Sequence, residues 1–215
     1  MYKKDVSVVI ADDHPMLLKG LMDELSLNDY NVVGVAKNGM EALGQILTLT
    51  PVLALLDIDM PLLTGFEVVK MAREKGSNTK FIILSFHKET EYISQAKALQ
   101  IDGYLLKEDS FSEIEKCMST VLKNEPYFSS SFETKVLENA SDEIKKLRLL
   151  TPSEITILKL ASQQSSNNEI AKNLSVSIRT IEKHRSNIIA KLNLLNGVNS
   201  LSSWAVTNKN IIIDL

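Results

Sequence analysis

Short apolar runs alternate with longer segments of helical periodicity over residues 1–123, and this alternation restricts the fold more than any other feature. The apolar runs have strand length and β-branched content, and they are VSVVIA, NVVGVA, VLALL, KFIILS and GYLL. The segments with helical periodicity lie at 15–28, 39–49, 64–75, 88–99 and 110–122. Near-continuous apolar strands between helices predict a parallel sheet covered on both faces. The pattern therefore predicts a flavodoxin-like, doubly wound α/β fold with strand order 2-1-3-4-5.

The rest of the chain has a different character. Residues 124–149 are polar, with Pro126 and a run of serines, and we interpret them as a linker with some helix near its end. The stretches TPSE at 151–154 and SNNE at 166–169 are capping boxes, and Ser177 can cap a third helix over 178–193. With a fourth helix near 198–208, residues 150–215 are predicted to form a small all-α helix-turn-helix domain.

The charge distribution supports two domains with different partners. Residues 1–125 hold 13 Lys and Arg against 19 Asp and Glu, whereas residues 126–215 hold 11 against 8. No apolar run approaches the ~18 residues of a membrane span, and the N-terminal stretch turns acidic where a signal peptide would continue apolar. The single cysteine, Cys117, excludes an intramolecular disulfide and a cysteine-based metal cluster. We therefore expect a cytoplasmic protein.

Polar side chains follow the predicted strands at the edge of the sheet where such folds bind ligands. Asp12 and Asp13 follow the first strand, Asp57 follows the third, Ser85 the fourth and Lys107 the fifth. Three carboxylates that converge would repel one another, and Mg²⁺ relieves this because it takes carboxylate, phosphate and water oxygens. A carboxylate can also act as the nucleophile that accepts a phosphoryl group, which then needs cations and donors around it. The pattern predicts a Mg²⁺-dependent phosphoryl site.

Each of these residues also has a plainer interpretation. Asp12 and Asp13 could only cap a helix that begins with Pro15, and Lys107 alone could be a solvated charge at a strand end. His14 and His87 are interpreted as polar neighbours of the site, since no cysteine or paired histidine accompanies them as for zinc. The placement of every polar residue at the matching end of its strand favours the functional interpretation.

The motifs ADDHP, LLDIDMPLLTG, ILSFH and GYLLK resemble the receiver domain of two-component response regulators over residues 5–123. The resemblance implies phosphorylation of Asp57 by a sensor histidine kinase, contacts from Ser85 and Lys107 to the phosphoryl group, and a rotamer change of Tyr104. It also implies Mg²⁺ held by Asp13, Asp57 and the backbone carbonyl of Asp59, with Asp12 acting through water. His87 lies two residues after Ser85, and the resemblance implies that the residue at this position tunes the lifetime of the phosphoryl group.

Residues 150–208 are similar to the LuxR-type helix-turn-helix that follows such receivers in the NarL/FixJ type. In the helix over 178–193, Ile178, Ile181, Ile188 and Leu192 are predicted to form an inner stripe. The outward side chains could enter the major groove, and Arg185, Lys191 and Lys172 could flank them as phosphate contacts. His184 is predicted to pack inside. The candidate DNA-binding residues are Arg179, Thr180, Glu182, Lys183, Arg185, Ser186 and Lys191.

The leading hypothesis is a transcription factor, a binding switch and not a conventional enzyme, in which phosphorylation of Asp57 favours a DNA-binding homodimer. One alternative takes Asp57 and Asp59 as the nucleophile pair of a haloacid-dehalogenase-like phosphatase, although Pro61 and the position of the strand fit that motif poorly. A second alternative keeps the receiver and makes the helical tail a protein-interaction module. At the helix end, Asn193 stands where the family usually has glycine, and asparagine tolerates a left-handed cap.

Overall fold

The computed structural model describes residues 2–132, 134–194 and 197–213, without the side chains of residues 134–135 and 197–200. The chain divides into two compact units, one with residues 1–88 and 99–133 and the other with residues 89–98 and 134–215. The predicted domain limits at 123 and 150 remain a prediction. The sequence predicts alternating strands and helices followed by a helical bundle, and this order of elements is confirmed.

The strands form one parallel sheet in the first unit. Its order is β2-β1-β3-β4-β5-β6, so the predicted order 2-1-3-4-5 is confirmed and a sixth strand extends it. The strands are β1 (Ser7–Ala11), β2 (Asn31–Ala36), β3 (Leu53–Asp57), β4 (Lys80–Ser85), β5 (Gly103–Leu106) and β6 (Tyr127–Phe128). β6 lies inside the segment that was predicted to be linker.

Helices connect these strands and make up the rest of the chain. A 3₁₀ turn at Lys3–Asp5 precedes β1. The helices are α1 (Pro15–Leu27), α2 (Gly39–Leu49), α3 (Gly65–Glu74), α4 (Thr90–Ala98), α5 (Phe111–Val121), α6 (Thr134–Leu147), α7 (Pro152–Ser162), α8 (Asn167–Asn173), α9 (Ile178–Leu192), α10 (Gly197–Thr207) and α11 (Lys209–Ile213). The sequence did not predict α11 as a separate helix.

The core of the first unit forms because β3 and β5 are buried at every position, as expected for strands covered on both faces. One side of the sheet, which includes Val8, Leu55 and Ile82, packs against the buried residues of α1 and α5. Gly103 allows α5 to approach β5, because a Cβ there would lie 2.6 Å from Cys117 Sγ. The thiol is buried, which raises its pKa. This packing fixes the strand ends from which the site is built.

The second unit is helical and contains α4 as well as α6 to α11. The predicted capping boxes begin α7 at Thr151 and α8 at Ser166, and the predicted cap Ser177 begins α9. α4 packs against α6, where Ser94 Oγ donates a hydrogen bond of 2.9 Å to Glu143 Oε2. The helices share one apolar core, which explains why the tail folds as a helical bundle.

α9 follows its predicted apolar stripe with one exception. Ile181, Ile188 and Leu192 are buried, but Ile178 is 46% exposed because it occupies the first turn of the helix, so its predicted place in the inner stripe is wrong. The helix ends at Asn193, whose φ of 55° and ψ of 42° form the left-handed cap that was expected to replace glycine. α9 therefore has a buried face fixed by the core and an opposite face turned to solvent.

Candidate functional site

The strand ends bring Lys107 and two carboxylates together in the first unit. Lys107 Nζ lies 2.8 Å from Asp12 Oδ2 and 2.9 Å from Asp57 Oδ2, and all three side chains are almost inaccessible to solvent. The strand registers explain why these side chains meet. Ala11 pairs with Leu56, and the next residues along these two strands are Asp12 and Asp57. Ser85 pairs with Leu106, which directly precedes Lys107. The predicted convergence of these side chains is thus seen in the structure.

Burial and the ion pairs determine the electrostatics of this pocket. Burial raises the pKa of Asp57, and Lys107 reduces this effect only in part. For Lys107, burial acts to lower the pKa, but the hydrogen bonds and charges of Asp12 and Asp57 outweigh it and raise the pKa. The ammonium therefore stays charged, and it is the partner that makes a buried carboxylate tolerable at Asp57.

A divalent cation fits the donor atoms at this place. One ligand atom from each of Asp12, Asp13, His14 and Asp57 lies within 4.8 Å of the others. Asp13 Oδ1 is inaccessible to solvent and accepts no hydrogen bond within the described ranges, although the His14 ring nitrogen lies 2.8 Å away. Hard carboxylate oxygens held this close together suit Mg²⁺.

His14 and Asp59 are the neighbours of this acidic group. The His14 backbone N–H donates a hydrogen bond of 2.8 Å to Asp12 Oδ1, and its ring nitrogen lies 3.1 Å from the same oxygen. α1 starts with His14 as the N-cap and makes no side-chain cap, so Asp12 and Asp13 do not serve as the caps considered above. The Asp59 carboxylate is exposed and lies 2.8 Å from His87 Nε2, while its backbone amide hydrogen-bonds to Asp57.

The loop after β3 is shaped by close packing against Asp57. A Cβ on Gly65 would lie 2.2 Å from the Asp57 carbonyl oxygen, so only glycine allows this approach. Thr64 and Glu67 form a capping box that starts α3 at this point. The LLTG stretch of the sequence therefore positions the backbone beneath Asp57.

Ser85 and Phe86 lie at the end of β4, close to Lys107. Ser85 is fully buried, and its Oγ accepts a hydrogen bond of 3.1 Å from the His87 N–H. The Lys107 N–H donates to the Ser85 carbonyl at 2.9 Å, which fixes the ends of β4 and β5 beside each other. Phe86 is 59% exposed, and Lys107 Nζ lies 5.3 Å from its ring centroid.

Tyr104, the predicted switch residue, is fully buried on β5. Its hydroxyl donates a hydrogen bond of 3.1 Å to the His87 carbonyl. Its ring packs against Phe128, at a centroid distance of 6.3 Å, and against Phe132, at 5.4 Å. The sequence pattern does not predict a role for these two aromatic residues, because YFSSSF after Pro126 is too short to show a strand period.

The second unit presents most of the predicted reading residues on the exposed face of α9. These exposed residues are Arg179, Glu182, Lys183 and Ser186, and Thr180 is half-buried beside the Ser177 cap. Lys172 on α8 is also exposed. His184 is half-buried and lines a cavity of about 270 Å³ together with Ile157 and Ile181, consistent with a packed side chain. The face has the charge and polarity that a groove-reading helix needs.

Two predicted phosphate contacts have other surroundings. Arg185 is only 3% exposed, and its guanidinium donates a hydrogen bond of 2.8 Å to Ser202 Oγ, so the structure disagrees with its prediction as a phosphate contact. Its position explains this, since residue 185 lies on the same side of α9 as Ile181 and Ile188. Lys191 is partly exposed and lies 2.7 Å from the buried Glu154 Oε2.

Two family models match the chain in consecutive ranges. Residues 8–119 match the response regulator receiver domain, and residues 148–202 match the LuxR family of bacterial regulatory proteins. The transcriptional regulatory protein MctR of Rhizobium johnstonii is 34% identical over 197 residues, which cover 88% of each protein. These matches lend no support to the phosphatase alternative or to a tail of another class.

Solved structures resemble the chain in the same way. The receiver domain of a response regulator named NarL from Mycobacterium tuberculosis is 36% identical, covers 56% of this chain and 98% of its own, and has a TM-score of 0.54. The response regulator RcsB in complex with DNA is 25% identical, covers 94% of this chain and 98% of its own, and has a TM-score of 0.59. Over the described residues, the helices are too short or too polar to cross a membrane.

Proposed function

The chain belongs to the response regulators that join a receiver domain to a LuxR-type helix-turn-helix, and on this basis we propose that phosphorylation of Asp57 controls its binding to promoter DNA. One observation carries the proposal above the others. Lys107 Nζ lies within 2.9 Å of both Asp57 and Asp12 in a buried pocket. Its positive charge can therefore stabilise the negative charge of a phosphoryl group added to Asp57.

The Asp57 carboxylate is the phosphoryl acceptor. A carboxylate oxygen forms a bond to phosphorus while the bond from phosphorus to the donor breaks, and the donor leaves with the electron pair. Sensor histidine kinases supply this group in the family, and small acyl phosphates can replace them in a test. Lys107 and Ser85 are proposed to contact the new phosphoryl oxygens, and Tyr104 is proposed to respond to the change.

Asp12, Asp13 and Asp57, with the backbone carbonyl of Asp59, are proposed to hold Mg²⁺. The buried Asp13 Oδ1 without a hydrogen bond in the described structure supports this assignment. When bound, the ion supplies positive charge to the carboxylates and to the phosphoryl oxygens. The chain's own contribution is to hold three oxygens within a few ångströms of one another and to keep Lys107 charged beside them.

The output is proposed to be binding to double-stranded promoter DNA through the exposed face of α9, by a homodimer. The charge of residues 126–215 is only mildly positive, with 11 Lys and Arg against 8 Asp and Glu, so a single helical unit would bind DNA weakly. Two units joined in a dimer engage two half-sites, which raises the affinity without new contacts. Phosphorylation is proposed to shift a pre-existing equilibrium towards this dimer, and such a regulator would act in the cytoplasm.

The proposal is tested with acetyl phosphate and Mg²⁺ on the full chain and on Asp57→Asn. We expect one hydroxylamine-labile phosphoryl group per wild-type chain and none on the variant, because asparagine is nearly isosteric but not nucleophilic. Phosphorylated wild type should bind selected genomic fragments more tightly and elute as a larger species than the unphosphorylated protein.

Exposed Asp59→Asn is the matched control, since it removes a neighbouring carboxylate but keeps the proposed backbone carbonyl ligand. Labelling of Asp57→Asn at the wild-type level would place the acceptor elsewhere. Continuous turnover of a phosphomonoester would instead favour the phosphatase alternative, and DNA binding that ignores phosphorylation would contradict control by Asp57.

A further inference from the structure

The segment after α5 continues the sheet beyond the strand that carries Tyr104. Residues 127–132, here called the latch segment, begin with β6, which pairs in parallel with β5 through Gly103–Tyr127 and Tyr104–Phe128. The Ser129 N–H extends this pairing with a hydrogen bond of 2.9 Å to the Tyr104 carbonyl. β5 would otherwise be an edge strand of the sheet, and the segment before α6, which begins at Thr134, covers it.

The aromatic side chains of the latch segment enclose Tyr104. The Phe128 ring is nearly parallel to that of Tyr104, with 7° between the planes, and the tilted Phe132 ring is closer at 5.4 Å. Tyr104 is fully buried and Phe132 is 7% exposed. Phe128 and Phe132 thus pack against the Tyr104 ring, and a rotamer change of Tyr104 would disturb the latch segment.

A polar contact joins the same segment to the loop that carries Lys107. Asp109 Oδ1 accepts a hydrogen bond of 2.7 Å from Ser131 Oγ, and Asp109 Oδ2 accepts one of 2.8 Å from the Leu106 N–H. Leu106 directly precedes Lys107. Asp109 thus connects the latch segment to the backbone beside the pocket's buried ammonium.

A third contact holds the start of the segment on α5. Glu113 Oε1 accepts hydrogen bonds from Tyr127 Oη at 2.6 Å, Ser130 N at 3.1 Å and Ser130 Oγ at 2.9 Å. Hydrogen bonds to a carboxylate are charge-assisted and therefore strong, and these three fix the position of the segment on α5. The segment is therefore an integral part of the first unit and not a free tether.

We propose that the latch segment is coupled to phosphorylation of Asp57, because it positions Tyr104 and the loop that carries Lys107. The inference rests on the proposed function of Asp57. Under this proposal, phosphorylation of Asp57 changes how firmly the latch segment is held, and weakening that segment disturbs the loop that carries Lys107. A loosened Asp109 holds the Lys107 loop less firmly, so uptake slows when the latch segment is weakened.

The first test measures hydrogen–deuterium exchange of residues 127–132 in the full chain, with and without acetyl phosphate and Mg²⁺. The amides of Tyr127, Ser129 and Ser131 are all hydrogen-bonded, so their exchange reports the state of the segment. We expect a change of about threefold or more on phosphorylation, since smaller differences correspond to less than one hydrogen bond. Asp57→Asn should show no change.

The second test measures the rate of phosphoryl uptake in Ser131→Ala and Phe128→Ala. Neither side chain belongs to the pocket, yet we expect each variant to take up the group about three- to fivefold more slowly, the effect of losing roughly one hydrogen bond or ring contact. Ser119→Ala is the matched control, because Ser119 is exposed on α5 and its hydroxyl donates to the Lys116 carbonyl of the same helix. Phe128→Leu, which keeps an apolar cover on Tyr104, should recover most of the rate.

The outcomes separate the two proposals. Absence of phosphorylation in the wild type would overturn the proposed function itself. Stoichiometric phosphorylation with unchanged exchange in residues 127–132, or wild-type uptake in folded Ser131→Ala, would overturn the coupling and leave the proposed function standing. Because Ser131 is exposed and its change removes one hydroxyl, this variant tests the coupling even if Phe128→Ala does not fold.

Discussion

Lys191 Nζ on α9 lies 2.7 Å from Glu154 Oε2 on α7, and Glu154 is one of the few charged side chains buried in the second unit. The same carboxylate oxygen closes the capping box of α7 by accepting the N–H and hydroxyl of Thr151. One ion pair thus joins the start of α7 to the end of α9, the helix proposed to read DNA. Lys191 has a structural partner, which changes what its removal should do.

Lys191→Met is expected to destabilise the second unit by about 1–3 kcal/mol, since it leaves a buried carboxylate without its cation. Trp204, the only tryptophan of the chain, lies in this unit and reports its unfolding by fluorescence in urea. Lys172→Met is the matched control, because Lys172 is exposed on α8. Equal unfolding midpoints for the two variants would contradict a structural role of Lys191.

The stability of the second unit should also depend on Glu154 as pH changes. Burial acts to raise the pKa of Glu154, but Lys191 and Thr151 outweigh it and hold the pKa below its ordinary value. The ionised carboxylate therefore contributes stability above the ordinary carboxyl pKa, and this contribution is lost as the pH falls through the folded-state pKa. Urea unfolding of the wild type and of Glu154→Gln across acidic pH measures it. A difference between the two proteins that does not shrink on acidification would refute this assignment.

The pocket leads to a prediction about divalent cations. Lys107→Met removes the buried cation between Asp12 and Asp57 and is expected to cost about 2–4 kcal/mol when a chelator is present. Added Mg²⁺ should then stabilise the variant more than it stabilises the wild type, because the ion replaces the missing charge. Calorimetric unfolding with chelator and with Mg²⁺ compares them, and Lys88→Met, which alters the exposed ion pair with Glu108, is the control. The same gain from Mg²⁺ in all three proteins would exclude this compensation.

The pocket could be predicted from the sequence because the fold itself brings strand ends together. In a parallel sheet the carboxyl ends of adjacent strands lie at one edge, so Asp12, Asp57 and Lys107 had to meet once the strand order was correct. The type of each residue then decided the chemistry. No long-range contact had to be guessed beyond the order of the strands.

Other features depend on information that local patterns do not hold. β6 is two residues long and has no alternation to recognise, and its stability comes from pairing with β5. The charge of Arg185 predicts a contact with DNA, whereas its spacing from Ile181 and Ile188 places it on the buried side of α9. Periodicity was the better guide there, because a long cation can bury its stem and bond to a residue such as Ser202.

The latch segment should respond to acid through Glu113. Hydrogen bonds from Tyr127 and Ser130 hold the pKa of Glu113 below its ordinary value. Its contribution to stability is therefore present above the ordinary carboxyl pKa and is lost as the pH falls through the lower folded-state pKa. We expect the thermal stability of Glu113→Gln to be lower than that of the wild type near neutral pH, and the gap to close in acid. If the difference in thermal stability stays constant over this pH range, the charge of Glu113 does not stabilise the latch segment.

The last prediction concerns which residues read DNA bases. Glu182 and Lys183 are exposed near the start of α9, where groove-entering helices place their reading side chains. Lys183 can donate to guanine O6 and N7, so Lys183→Ala should lose about 1–3 kcal/mol at one preferred base pair. Glu182 can accept from cytosine N4 but repels phosphates, so Glu182→Ala should bind random DNA more tightly and discriminate less. Titrations on the selected site and its single-base variants, across salt concentrations, measure both effects.

Lys209→Ala, which removes an exposed charge on α11, should leave discrimination between bases unchanged. If Glu182→Ala and Lys183→Ala keep the wild-type preference at every base pair, another surface reads the DNA.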